Sequence, residues 1–211
     1  MTAARRHTPA ARARAETQRE RILDAAQKCF IERGFRGASM AQIAQTAAIS
    51  VGLAYRYFDG KDAIMLAIIA RQLEAKRARI DQLCAEADFL GAVLERFRVW
   101  QRGLADAMNP ALFLEMSAEA TRSPRIAEAI RTSDALLKAE FESWLLRERR
   151  EGGLGIGAQD VQARGLLVQC LFEGLLVRAA RDPDQDVAVL RRALEPVFSA
   201  LGLVPDGHDR S

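Results

Sequence analysis

Residues 39–58 read SMAQIAQTAAISVGLAYRYF, and the fold turns on this stretch. Ser39 and Gln42 have the spacing of a capping box, in which the two side chains satisfy amides that a first helical turn leaves free. It opens a short helix with Ile43, Ala44 and Ala47 facing inward. Ala48-Ile49 makes a turn, and Ser50 caps a second helix that runs through Phe58. Small inward residues let the two helices cross closely. Helix, tight turn and helix make a helix-turn-helix, whose second helix can enter a DNA major groove ~12 Å wide. Taken alone, the pattern also suits a plain three-helix bundle.

The flanks extend the helical reading. Thr17-Gln-Arg-Glu20 is another capping box, and Ile22, Ala25, Ala26, Cys29 and Phe30 then share one helical face that Gly34 brings to an end. Lys61 begins a long helix with Ile64, Ile68, Leu73, Ile80 and Leu83 as core positions. Further helices are expected over 88–107, 110–122, 125–150, 158–181 and 185–201, punctuated by Asn109-Pro110, Ser123-Pro124, the glycines at 152–155 and Asp182-Pro183. Pro196 should kink or shorten the last of them. With no period-two strand in view, the chain reads as all-α. It divides into a flexible basic arm over 1–15, a three-helix head over 16–62, a helical body over 63–204 and a frayed tail over 205–211.

Composition narrows the chemistry. At 211 residues, 49% hydrophobic and 28% charged, the chain is globular in character, and its longest mostly apolar run, 165–177, is too short for a membrane span. Arg5, Arg6, Arg12 and Arg14 are followed by a polar run rather than by the apolar core of a secretory signal. Cys29, Cys84 and Cys170 are far apart in sequence, so neither a disulfide framework nor a metal knuckle is expected, and a reduced, cytoplasmic protein is. The two histidines, His7 and His208, lie in the terminal segments. Triads, Cys-His pairs and His-rich metal sites have nothing to use, so no enzyme, metal or cofactor is expected. The formal charge of +3 is uneven: residues 1–62 carry +5 and the remainder −2. A basic head on a near-neutral body is the footprint of a polyanion-binding module; a solvated basic tail is the alternative.

Arg21-Ile-Leu-Asp-Ala-Ala, Phe30, Gly34, Ile43-Ala44, Ile49-Ser50, Gly52, Tyr55-Arg-Tyr-Phe58 and Lys61 together resemble the N-terminal domain of TetR-family regulators, over about residues 17–66. The resemblance implies a homodimeric repressor that binds double-stranded palindromic DNA, with a second, helical ligand-binding and dimerisation domain that takes a small-molecule effector. Ser39, Gln42, Ser50, Val51, Gly52, Leu53, Tyr55, Arg56, Tyr57 and Lys61 are the DNA-contact candidates. Ser50 can aim a hydroxyl and free amides at a phosphate. Val51, Gly52 and Leu53 form the exposed first turn that reaches base edges. Tyr55 and Tyr57 can offer phenol hydroxyls to the backbone, with core packing as their alternative. Lys61 resembles the family's phosphate-contacting lysine, against a solvated surface amine. The family turn usually reads Ala-Gly-Val-Ser, whereas this chain has Ala47-Ala48-Ile49-Ser50, so a positive φ at Ala48 would carry ~1 kcal/mol of strain. The reading positions are apolar and suit thymine methyls, leaving Arg56 and Gln42 for guanine and adenine, and the Arg-rich arm for a minor groove.

In the body, Phe97, Trp100, Met108, Phe113, Met116, Phe141, Trp144 and Phe172 suit a core as well as a ligand box; within this family's second domain they suggest an apolar pocket. Gln169 and Glu173 are its polar candidates, ahead of Glu115, although Glu173 also suits a rim carboxylate paired with an arginine. Cys170 reads as a small buried hydrophobe. Leu167, Leu171 and Leu175 form one apolar stripe, and Val187, Leu190, Leu194, Val197 and Leu201 another. These serve either an intrachain bundle or, as the resemblance implies, a four-helix homodimer interface. The other functional reading is a helical small-molecule carrier or interaction protein whose head has lost DNA binding.

Overall fold

The computed structural model describes residues 9–103 and 108–203, and all regular structure in them is helical. The helices are α1 (Pro9–Gly37), α2 (Met40–Thr46), α3 (Val51–Tyr57), α4 (Lys61–Ala85), α5 (Phe89–Gln101), α6 (Pro110–Ala120), α7 (Pro124–Leu146), α8 (Ala158–Arg181) and α9 (Val187–Ala200). Local chemistry sets most of their ends. Asn109 Oδ1 accepts from the amides of Ala111 and Leu112 at 2.9 and 3.3 Å, with Pro110 in the first turn of α6 where its missing N–H costs nothing. Ser123 Oγ caps α7 through the Ile126 amide ahead of another first-turn proline, Pro124.

Several expected boundaries move. Residues 9–15 are helical rather than a flexible arm; residues 1–8 and 205–211, and hence most of the arm and the tail, lie outside the described residues. Thr17 does not open a helix. It sits inside α1, and its hydroxyl donates to the Ala13 carbonyl at 3.0 Å, because the Ala- and Arg-rich run ahead of it is itself a good helix former. The expected 125–150 helix ends at Leu146, where Arg147 turns to an extended conformation and a short 3₁₀ turn, Arg149–Glu151, follows. Pro196 does not shorten α9, which runs on to Ala200 before Gly202, at φ 72°, closes its end.

Two cores form. In the first, Ile22, Ala26 and Phe30 of α1 meet Ile43 and Ala44 of α2, Ala54 of α3 and Ile64, Met65 and Ile68 of α4. Residues 16–62 do not close it alone: Leu112 and Met116 of α6 and Ile126 of α7 complete it. The second core is built from α5, α7, α8 and α9 around Phe89, Phe97, Trp144 and Phe198. At 25 residues and ~1.5 Å per residue, α4 extends ~37 Å from the first core to the second.

The α2–α3 turn carries the strain anticipated from its sequence. Ala48 has φ 50°, while Ala48 N–H donates to Gln45 O and Ile49 N–H to Ala44 O, both at 3.0 Å. Arg21 lies 3.5 Å from the Ala48 carbonyl. Ala48→Gly is expected to stabilise the protein by about 0.5–1 kcal/mol, the relief of a left-handed alanine outweighing the added freedom of the unfolded chain. Thermal unfolding checks it; an unchanged or lower midpoint would mean that the strain at Ala48 is no larger than that entropic cost.

Candidate functional site

The head presents α3 on a rigid mount. Ser39 Oγ accepts from the Gln42 amide at 3.2 Å while Gln42 Oε1 accepts from the Ser39 amide at 2.8 Å, completing the capping box. Ser50 Oγ accepts from the Leu53 amide at 3.2 Å and so caps α3. Ala54 is completely buried and Phe58 nearly so, with the Arg19 guanidinium 4.5 Å over its ring. Pinned from behind in this way, α3 turns Val51, Gly52, Tyr55 and Arg56 to solvent, with Leu53 half-buried. A Cβ at Gly52 would meet nothing within 4 Å, so its backbone is open to close approach.

Three candidates have contacts of their own within the head. Tyr57 is half-buried against the first core. The carboxamide oxygen of Gln42 is engaged with Ser39, whereas a bidentate adenine contact needs both ends of the amide. Lys61 is neither a free surface amine nor aimed outward: Nζ donates to the carbonyls of Phe35 and Arg36 at 2.6 and 3.3 Å and lies 4.8 Å from the Phe35 ring centroid. The last carbonyls of α1 lack helical partners, and the ammonium satisfies them.

The body contains a cavity of about 620 Å³ between α4, α5, α7 and α8. Trp100, Met108, Phe113, Phe141 and Phe172 supply apolar wall, and Gln169 and Glu173 reach it, with Gln169 Nε2 donating to Glu173 Oε1 at 3.1 Å. Three expected wall residues do not line it. Phe97 is wholly buried in the second core; Trp144 stacks on Phe89 and donates to the Gly152 carbonyl at 3.0 Å; Met116 belongs to the first core. Glu115 also points elsewhere, its Oε2 accepting from the Phe35 amide at 2.8 Å.

Sequence reasoning passed over Lys76 and Asp134, which line the same cavity. Burial lowers the ammonium pKa of Lys76 against the pull of Asp134 and Glu173. Burial likewise raises the carboxyl of Asp134 against the pull of Lys76, with Glu173 pushing it further up. Spacing held the signal: Gln72 and Lys76 continue the four-residue stripe of Ile64 and Ile68, where a solvated helix face has no reason to run.

The expected interface residues divide by helix face. Leu175, Leu194 and Leu201 are buried within the chain's own second core, and Leu171, Val187, Leu190 and Val197 pack partly against it. Leu167 is exposed, and beside it Leu166 is more so, at 43% and 54%. Cys170 is exposed rather than buried, on the same side of α8 as Leu166, Leu167 and Gly174. On α9, Val189 and Ala193 face outward. Among the described residues no grouping of His, Cys, Asp and Glu is placed to hold a metal, and no helix is long and apolar enough to cross a membrane.

Comparison with known proteins agrees with this geometry. Residues 22–68 match the family described as bacterial regulatory proteins, tetR family. The chain is 31% identical over 140 residues to the HTH-type transcriptional regulator UidR of Escherichia coli (strain K12), covering 66% of this chain and 69% of UidR. It is 39% identical over 194 residues, 88% of each chain, to an uncharacterized HTH-type transcriptional regulator of Mycobacterium tuberculosis. Among solved structures, Salmonella enterica GusR superposes with a TM-score of 0.64 at 27% identity, over 87% of this chain and 96% of that one.

Proposed function

Because the chain belongs to the TetR family of transcriptional regulators, which bind DNA through their helix-turn-helix and are not enzymes, we propose that it is a homodimeric, cytoplasmic repressor of a palindromic operator, released by a small apolar or amphipathic effector. The observation that carries this reading is α3, whose outer face is held toward solvent by the Ser50 cap and the buried Ala54 behind it. Val51 and Leu53 suit thymine methyls, Gly52 admits the backbone close to the groove, and Arg56 is the side chain for guanine. With Gln42 committed to its cap, polar readout falls chiefly to Arg56. Ser50 and Tyr55 serve the phosphates, and Lys61 orders the end of α1 beneath them.

The dimer forms through the outward faces of α8 and α9: Leu166, Leu167, Cys170 and Gly174 on one helix, Val189 and Ala193 on the other. Gly174 has nothing within 4 Å of a built Cβ and leaves room for a partner's helix. Two-fold symmetry then spaces two α3 helices by one turn of DNA, ~34–36 Å.

The effector acts through α6. Phe113 lines the cavity, Leu112 and Met116 lie in the first core, and Glu115 and Glu119 hold the end of α1 through the Phe35 amide and the Arg36 guanidinium, at 2.8 and 3.4 Å. A ligand that displaces Phe113 therefore shifts the mount of the reading head, with a coupling of ~1–3 kcal/mol in operator affinity.

Selection of purified protein on a random DNA pool tests the reading. The expected product is a palindrome with half-sites one helical turn apart; no enrichment by folded, dimeric protein would overturn it. Arg56→Ala is expected to cost ~1–3 kcal/mol of discrimination at one guanine position per half-site. An unchanged ratio of specific to random-DNA affinity would remove Arg56 from the readout.

A further inference from the structure

The geometry points to an amphipathic organic cation, an aromatic body with a permanent positive charge, as the class of effector that the cavity takes. This rests on the cavity being the effector site, as proposed above. Four aromatic rings, Trp100, Phe113, Phe141 and Phe172, face the cavity, with Trp100 and Phe172 set edge to face at 80° and 6.4 Å between centroids. Ring faces attract cations most strongly where water is excluded.

The charged wall residues then decide the sign. Lys138 lies 3.5 Å from Glu142, Asp88 lies 3.9 Å from Arg191 and caps α5, and Glu95 pairs with Arg98; Arg79 and Arg96 are engaged as well. What remains is Glu86, exposed at the end of α4, and, at the meeting of α4, α7 and α8, one ammonium, Lys76, facing two carboxylates, Asp134 and Glu173. Among the described residues no side chain hydrogen-bonds or ion-pairs with Lys76 or Asp134, and Glu173 has only the hydrogen bond from Gln169. With one ammonium for two carboxylates the cluster is one positive charge short, and burial, with Glu173 adding a smaller effect, pushes the Asp134 carboxyl up. An incoming cation supplies that charge. An anion would meet two carboxylates at close range.

Tetraphenylphosphonium and tetraphenylborate, alike in shape and opposite in charge, provide the test by calorimetric titration of the full chain, with neutral Nile red fluorescence as a control for the apolar cavity. The phosphonium is expected to bind at least tenfold more tightly than the borate. Asp134→Asn and Glu173→Gln should each weaken the phosphonium about tenfold and leave Nile red unchanged, and Lys76→Met should tighten the phosphonium. Equal or tighter binding of the borate, or a phosphonium affinity indifferent to all three substitutions, overturns the cation assignment while Nile red binding keeps the effector cavity. If none of the three probes binds to protein that still unfolds cooperatively, the cavity reading falls with it.

Discussion

Leu166→Arg combined with Leu167→Arg is expected to leave each protomer folded and to break the proposed dimer. Both side chains are exposed in the single chain, so their replacement removes little from either core. If the outward faces of α8 and α9 form a two-fold interface, every change appears twice, and four guanidinium groups would be brought together at the seam. A monomer reads one half-site and loses the effective concentration that the second head enjoys once the first is bound, so operator affinity should fall ~10²-fold or more. Sedimentation gives the mass, and titration of operator DNA gives the affinity. Cys170, on the same face, supplies an independent check. Alkylation there should be slow in the dimer and fast in the variant, whereas Cys84, whose thiol is pushed up to about 12 by burial first and by Asp81 second, should stay slow in both. A variant that remains dimeric with unchanged affinity would place the interface on another face.

Phe198→Ala acts from inside. Its ring is wholly buried, 5.8 Å from Phe89, which in turn stacks on Trp144 at 5.6 Å and 11°. Removing it deletes the keystone between α9 and α5 and leaves a hole that rigid helices cannot fill. The expected cost is about 3–5 kcal/mol, a large part of the 5–15 kcal/mol that typically separates folded from unfolded chains. The probes separate by position: both tryptophans, Trp100 and Trp144, lie in the second core, and both tyrosines, Tyr55 and Tyr57, lie in the head. Urea unfolding followed by tryptophan fluorescence should therefore move its midpoint sharply. A loss below ~1 kcal/mol would mean that the α5–α9 contact is loosely packed.

Features made within a few residues are legible in the amino-acid sequence itself. The Ser39–Gln42 box, the Ser50 cap, the departure at Ala48 and the helix starts at Pro110 and Pro124 depend on backbone amides, φ angles and side chains less than a turn apart, so sequence spacing is their cause. Thr17 marks the limit of that reasoning, since a capping pattern has no force once the residues ahead of it are themselves helical.

Only tertiary packing could assign the two apolar sides of α8, one to the chain's own core through Val168, Leu175 and Leu176 and the other to solvent through Leu166 and Leu167. Periodicity identifies a stripe but not what covers it. For the same reason the resemblance puts Met116, Phe97 and Trp144 on a cavity wall when they belong to the two cores, and the meeting of Lys76 with Asp134 and Glu173 shows only in the fold. A side chain's neighbours across a bundle come from helices tens of residues away, and their approach is set by how all the helices fill space together. The chain by itself determined that there would be a reading head and a helical body. The packing of α4, α6, α7 and α8 decided where a cavity opens, which charges face it and which helix joins it to the head, because those are properties of the space between helices rather than of any one of them.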